Sequence, residues 1–300
     1  VVREAFERFA GRDVAGEVQA APGDDARGGL RYRTRVSAIA DAEGRASMAP
    51  LGGGDRVTLT SMPLAVAEAE EALLAARAQP GERIDVALDA MGNPVIGSGP
   101  STRHASYIQR VPMGQGDQAY RLRLGDFWQV HREAPGLLVD RVTTLVDGGT
   151  VALDLYAGVG LFAVALARAG LDVTAVELQG RAKGSSLERN LAGLSNARAI
   201  NADTRQALKK LAAEHTIKPG ARIVLDPPRA GAKQATIEAI CALEPSRIVY
   251  VACDPVALAR DTALLEARGY GLAHVEAWDL FPMTHHVETL AVFDQDTSHA

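Results

Sequence analysis

Lysine does not occur before Lys183 in this 300-residue chain, and cysteine occurs only twice, as Cys241 and Cys253. Two thiols cannot build a disulfide framework, a four-thiolate zinc site or an iron–sulfur cluster, and no metal site is expected. Long apolar runs are missing and no cleavable leader is legible, which argues for a soluble, cytoplasmic protein without a membrane segment. A net charge of −5 gives no general attraction to phosphate, which counts against a nucleic acid partner. A start methionine is also lacking. The chain opens at Val1, which leaves open a piece lacking upstream sequence.

What is present follows two grammars. Hydrophobic residues at 47% and charged residues at 23% suit a globular chain long enough for one large core or two moderate ones. Residues 1–29 are read as a helix and a linker: in VVREAFERFAG, Val2, Phe6 and Phe9 share a face and Gly11 offers a stop. From 30 to 125 the segments are short and alternating, YRTRVSAI, DRVTLT, RIDVALDA and AYRLRL, with one helix in LAVAEAEEALLAA. This predicts an α+β domain on an antiparallel sheet. Arg31, Arg33 and Arg35 alternate, so on a strand they would share a face, and Arg103, Arg110, Arg121 and Arg123 follow. Spacing alone makes them solvated strand positions.

From 126 to 300 the strands VALDL, DVTAVEL, RIVLD and RIVYVAC alternate with amphipathic stretches. The pattern predicts an α/β, doubly wound sheet with helices at 134–146, 161–169, 181–194, 204–214, 233–243 and 255–268.

Ligands of such sheets bind beyond the carboxyl ends of the strands. Asp154, Tyr156, Gly158 and Gly160 in VALDLYAGVGLF follow the first strand, where a GxG turn alone is a weak signal. Glu177 ends the next strand, about twenty residues on, where a carboxylate can accept the hydroxyls of a ribose. Asp203 in NADTRQAL fits a helix N-cap as well as a ligand contact. With no GxxxxGKS and no complete GxGxxG, a cationic S-adenosylmethionine suits these acids better than ATP or a dinucleotide.

Asp226 runs into two prolines and Arg229 in RIVLDPPRAG, a stiff exit from the sheet that would hold side chains in place. Cys241 falls on a helix and reads as packing. Cys253 instead closes a strand beside Asp254 and the helix led by Pro255, where a helix N-terminus favours a thiolate. His285 and His286 are adjacent, would point to opposite faces of a strand, and have no third ligand to make a metal site. Glu288 stands inside the apolar run VETLAVF, where a carboxylate must be paired, solvated or functional.

Together DLYAGVGLF, LDPPRAG, YVACDPVALARD and FPMTHHVE resemble, in order and spacing, the RNA uracil-C5 methyltransferase family, S-adenosylmethionine-dependent enzymes that make 5-methyluridine in tRNA and rRNA. The resemblance spans the second half, and FWQV at 127–130 resembles the segment just ahead of the family's catalytic domain. It implies a class I methyltransferase sheet at 126–300, S-adenosylmethionine as cofactor, an rRNA or tRNA partner and a monomer. It further implies Cys253 as nucleophile, Glu288 as general base, and Gln129, Tyr156, Leu161, Glu177, Asp203 and Asp226 as cofactor contacts. Many relatives also carry an N-terminal oligonucleotide-binding barrel and a four-cysteine iron–sulfur cluster. Neither is in this sequence, so either upstream residues are missing or the lineage lost the cluster, and 30–125 becomes the RNA-facing surface. Two other readings stay open: a small-molecule methyltransferase, which needs no thiol, and an RNA-binding module without catalysis.

Overall fold

The computed structural model describes residues 1–14, 16–99, 102, 105–114, 116–178 and 184–296. They form two compact units, Pro22–Gly136 and Val1–Ala21 with Leu137–Ala300. The chain opens with α1 (Val2–Ala10), which ends at Gly11 in a left-handed conformation (φ 64), and β1 (Val18–Ala20). Phe6 of α1 is fully buried, and Val2 and Phe9 pack against the same core, as the shared face predicts. The N-terminal segment is therefore part of the second half's core.

The unit Pro22–Gly136 holds α2 (Asp24–Arg27), β2 (Arg35–Ala40), β3 (Ala46–Met48), β4 (Val57–Thr58), α3 (Ala67–Ala75), β5 (Arg83–Leu88), β6 (Pro94–Ser98), β7 (Ser106–Val111) and β8 (Gln118–Arg123). Its antiparallel sheet runs β4-β3-β2-β5-β6, and β7 pairs only with β8. Alternation places Val36, Ala38 and Ala40 of β2 inward, and Ala69 and Leu73 of α3 cover them.

This unit continues past Gly125 because backbone bonds stitch residues 126–132 to its start. The Thr34 N–H donates to the Val130 carbonyl at 2.9 Å and the Arg132 N–H to the Tyr32 carbonyl at 2.9 Å. Arg35 spans the same seam, donating to the carbonyls of Leu124 at 2.7 Å and Asp126 at 2.8 Å. The three alternating arginines do not share a strand face. Arg31 is left-handed (φ 57) and pairs with Glu70, Arg33 makes isolated bridges, and β2 starts only at Arg35. Arg103 lies outside the described residues.

The remaining elements are α4 (Ala134–Val146), β9 (Val151–Leu155), α5 (Leu161–Arg168), β10 (Asp172–Glu177), α6 (Ser186–Leu191), β11 (Ala197–Asn201), α7 (Thr204–Ala213), β12 (Arg222–Leu225), α8 (Gln234–Cys241), β13 (Arg247–Ala252), α9 (Pro255–Glu266), β14 (Tyr270–Asp279) and β15 (Glu288–Gln295). The helix expected from Arg181 is described from Ser186, where Ser185 and Glu188 form a capping box; 179–183 lie outside the described residues.

Eight strands form one sheet, β1-β14-β15-β13-β12-β9-β10-β11. Strands β9 to β13 are mutually parallel, and β15 enters antiparallel between β13 and β14. Side chains on both faces are apolar and fully buried: Leu153, Leu155, Ile223 and Tyr250 on one, and Ala152, Val224, Val249 and Val251 on the other. After β9 the chain builds outward to β11 and then returns to place β12 on the other side of β9. That reversal opens a crevice at the carboxyl ends of β9 and β12.

Candidate active site

Strand register brings the distant sequence motifs to one edge. Leu155 pairs with Val176 on one side and Leu225 on the other, so the next residues, Tyr156, Glu177 and Asp226, leave the sheet at one level. On β13, Ala252 pairs with Thr289 of antiparallel β15, and one step further Cys253 comes opposite Glu288. Glu288 is also paired with Trp278 and is 2% exposed. A strand that runs into Cys253 thus meets a strand that starts with Glu288. Only an antiparallel neighbour can do this without a long loop.

The turn after β9 is built by left-handed residues, Tyr156 (φ 60), Gly158 and Gly160. At Gly160 the left-handed φ of 92 favours glycine, and a Cβ would also press on Leu187 Cδ1 at 2.9 Å. The Gly158 N–H donates to Glu177 Oε2 at 2.8 Å, tying the loop to the end of β10. Asp154 lies below, fully buried; its Oδ2 accepts from the Ala163 N–H at 2.8 Å, and Oδ1 has no partner among the described residues.

The electrostatics of this edge run one way. Burial, and then Asp226, push Glu288 up to about 8, while burial and Glu177 push Asp226 up to about 7. Glu177 and Asp154 are raised by burial as well. Burial likewise lifts the Cys253 thiol, Glu288 and Asp226 lift it further, and Arg229 opposes them. The expectation of a thiolate favoured by the helix N-terminus does not hold for the resting protein. Asp254, the N-cap of α9, takes the helix's first donors itself, from Val256 at 2.8 Å and Ala257 at 3.1 Å. Burial thus makes every acid of this edge harder to ionise.

The other sequence candidates fall in different surroundings. Tyr156 hydrogen-bonds with Thr236 and Thr204, and burial raises its phenol. Leu161 opens α5 and is 8% exposed. Asp203 is the N-cap of α7 and accepts from the Gln206 N–H at 3.1 Å. Gln129 is buried at 7% exposure in the unit Pro22–Gly136. Cys241 is partly buried on α8 and its thiol is pushed up to about 11 by burial, in keeping with packing.

One residue escapes the sequence reading. Asp261, 3% exposed on α9, accepts from the Ala232 N–H at 2.6 Å, the Lys233 N–H at 3.2 Å and the Tyr250 hydroxyl at 2.7 Å. It pins the exit of the DPPRAG turn so closely that a Cβ on Gly231 would sit 2.7 Å from its Oδ2. The available signal was an aspartate inside the apolar helix VALARDTALL, on the buried side.

The fold and this edge define a class I methyltransferase. Residues 107–295 match the tRNA (uracil-5-)-methyltransferase family, and the chain belongs to that family. It is 36% identical to an uncharacterized RNA methyltransferase of Bifidobacterium longum, over 97% of this chain and 73% of that protein. It is 41% identical to the 23S rRNA (uracil(1939)-C(5))-methyltransferase of Alkalilimnicola ehrlichii, over 58% of this chain and 39% of that one. The fold resembles Pyrococcus abyssi tRNA (uracil-54, C5)-methyltransferase, solved with S-adenosyl-L-homocysteine, at a TM-score of 0.70 and 22% identity over 97% of this chain and 81% of that one. Among the described residues no group of side chains suits a metal ion, and no helix is long and apolar enough to cross a membrane.

Proposed function

We propose that the protein transfers a methyl group from S-adenosylmethionine to carbon 5 of a uridine in rRNA or tRNA, with Cys253 as nucleophile and Glu288 as base. The observation that carries this is the β13–β15 register, which sets the thiol opposite a buried carboxyl. A small-molecule methyltransferase or a binding module has no use for that pair.

The donor set fits a cation. Asp226 and Glu177 have raised pKa values and Asp154 keeps an unpartnered oxygen, so the edge can hold more negative charge than its own donors offset. S-adenosylmethionine would supply there an electrophilic methyl group on a sulfonium. Glu177 would bind its ribose, Asp226 would face its charged end, and Gln129, Tyr156, Leu161 and Asp203 would complete the contacts. Residues 30–125 would present the RNA.

Carbon 5 of uracil is a weak nucleophile, so the chemistry must first raise its electron density. Once the charges of Asp226 and Glu288 are offset, the thiol loses its two opposing acids and the thiolate forms more readily. The Cys253 sulfur adds to carbon 6, and the displaced electron pair makes an enolate that extends to carbon 5. Carbon 5 would take the methyl group as the methyl–sulfonium bond breaks and a neutral thioether leaves. Glu288 then accepts the carbon 5 proton, the double bond re-forms, and the carbon–sulfur bond breaks to return the thiolate.

Incubation with 5-fluorouridine RNA and S-adenosylmethionine tests the scheme. Fluorine cannot leave as a proton, so a stable adduct accumulates on Cys253 and is absent in Cys253→Ala. An adduct that survives this substitution rejects the nucleophile. Nucleoside mass spectrometry of rRNA and tRNA from cells lacking the protein then names the uridine.

A further inference from the structure

Two residues at the catalytic edge have no part in the scheme above. Arg229, on the stiff turn after β12, donates from Nη2 to His286 Nε2 at 3.1 Å. His286 lies two residues before Glu288, its ring 4.1 Å from that of His285 and edge-on to Phe281 at 5.9 Å. The imidazole is therefore braced by aromatic contacts, and its ring nitrogen takes a guanidinium from a different loop. A ring nitrogen accepts such a bond only while it is unprotonated, with its one proton on Nδ1.

We propose that His286, two residues before the Glu288 that faces Cys253, is a positioning residue that holds Arg229 at the Cys253 end of the sheet, and that Arg229 there favours the thiolate. The inference rests on Cys253 being the reactive thiol of the proposed function, and it extends that site to a pair that tunes it. Among the charged groups of the described residues that act on the thiol, Glu288 and Asp226 oppose its ionisation and Arg229 favours it. A freely swinging arginine on an exposed loop would be screened by water. A hydrogen bond to a braced imidazole fixes its position at small entropic cost.

The arrangement is also sensitive to acid. The groups facing His286 are Arg229, His285 and Asp254: burial, Arg229 and His285 hold its pKa below the usual histidine value, and Asp254 works against them. The imidazole thus stays neutral, and the clamp closed, to a lower pH than an ordinary histidine would allow. Below its pKa the ring nitrogen carries a proton, the acceptor is lost, and two cations face each other.

Alkylation of Cys253 by iodoacetamide, followed by mass spectrometry of its peptide between about pH 6 and pH 10, reads the thiolate fraction without RNA or methyl donor. Arg229→Met is expected to raise the half-alkylation pH and slow the reaction near neutrality by about three- to tenfold. His286→Phe, which keeps the ring packing but has no acceptor, should move it the same way. His286→Gln, whose carbonyl can accept the guanidinium, should restore most of the rate. An unchanged profile in Arg229→Met overturns the proposal, as does an equal shift in His286→Phe and His286→Gln, which would make the role one of packing. A normal profile shift in a protein that forms no 5-fluorouridine adduct would instead sink the proposed function and leave the clamp standing.

Discussion

Carboxylates in the two units meet opposite fates. In Pro22–Gly136, Asp41 accepts from the Thr58 hydroxyl at 2.6 Å and from the N–H groups of Glu43 and Arg45 at 2.9 and 2.8 Å, and these bonds hold it down to about 2. Glu70 is lowered by the Met62 N–H and Arg31, and at Asp89 the donors of residues 91–93 outweigh burial. At the edge of the other unit Asp154, Glu177, Asp226 and Glu288 are all raised, burial being the first cause in each. The contrast is not one of units as such. Glu276, on β14 of the same sheet, is pushed up by burial but pulled down further by the sum of a two-pronged bond from Arg141 at 2.9 and 2.8 Å and bonds with His274 and Trp278, each at 3.2 Å. Acids that serve folding come with their donors, and the acids of the edge are left short of them, the arrangement that the proposed function calls for.

The largest effect that tests this contrast is Glu288→Gln. The amide has the same shape and cannot take a proton from carbon 5, so turnover to released 5-methyluridine should fall by about 10²- to 10⁴-fold, with the methylated adduct accumulating on Cys253. Stability should move the other way. An acid whose folded pKa is raised, here to about 8, contributes stability that is full below the unfolded value and lost as pH rises through the folded one. The variant should therefore unfold at higher urea than the parent above about pH 8, by a few kcal/mol, and match it at about pH 4. Equal urea midpoints at the alkaline end would mean that Glu288 is not a strained carboxyl.

Asp261→Ala examines an acid of the folding kind placed next to the edge. Removing it takes the acceptor from the Lys233 N–H and the Tyr250 hydroxyl proton and leaves the Ala232 N–H with the Tyr250 oxygen at 3.1 Å, at a cost of about 2–4 kcal/mol by urea unfolding. Activity should fall along with stability, because the turn carrying Asp226 and Arg229 loses its anchor. A loss of activity with full stability would place Asp261 in the chemistry instead.

Much of this was legible before any coordinates. Apolar runs, crossover helices and the carboxyl-end rule placed Tyr156, Glu177, Asp226 and Cys253 in one region, because a parallel sheet aligns its strand ends automatically. Glu288 was legible as an oddity, a charge in an apolar strand, but its meeting with Cys253 depends on β15 running antiparallel, which no local pattern encodes. Asp261 was hidden since its partners are backbone N–H groups nearly thirty residues away, invisible to side-chain spacing. The arginine alternation misled because period two was read as a strand, whereas a left-handed Arg31 breaks the run before β2 begins.

Asp41→Asn has a smaller, pH-dependent effect and tests the other half of the contrast. Its folded pKa lies below the unfolded one, so its contribution is present above about pH 4 and disappears as pH falls through about 2. Thermal melting should show a lower midpoint for the variant near neutrality and convergence with the parent in strong acid. A gap that persists at the acid end would assign the effect to lost geometry, not to charge.

Asp203 belongs to both classes, which makes its variants the finest test. It has a donor of its own, the Gln206 N–H, as a folding acid should, yet it stands at the start of α7 beyond the end of β11 and acts on the phenol of Tyr156. Asparagine caps a helix about as well as aspartate, so Asp203→Asn should leave stability within a few tenths of a kcal/mol, whereas Asp203→Ala should cost about 1 kcal/mol. A capping role alone predicts unchanged S-adenosylmethionine affinity in the asparagine variant. A role in holding the cofactor predicts a Kd raised several-fold by calorimetry at constant stability, because the amide cannot replace a charged acceptor for a hydroxyl or amine. The second outcome would show that one carboxylate serves the helix and the ligand together, and the first would confine the ligand-facing acids to those whose pKa values are raised.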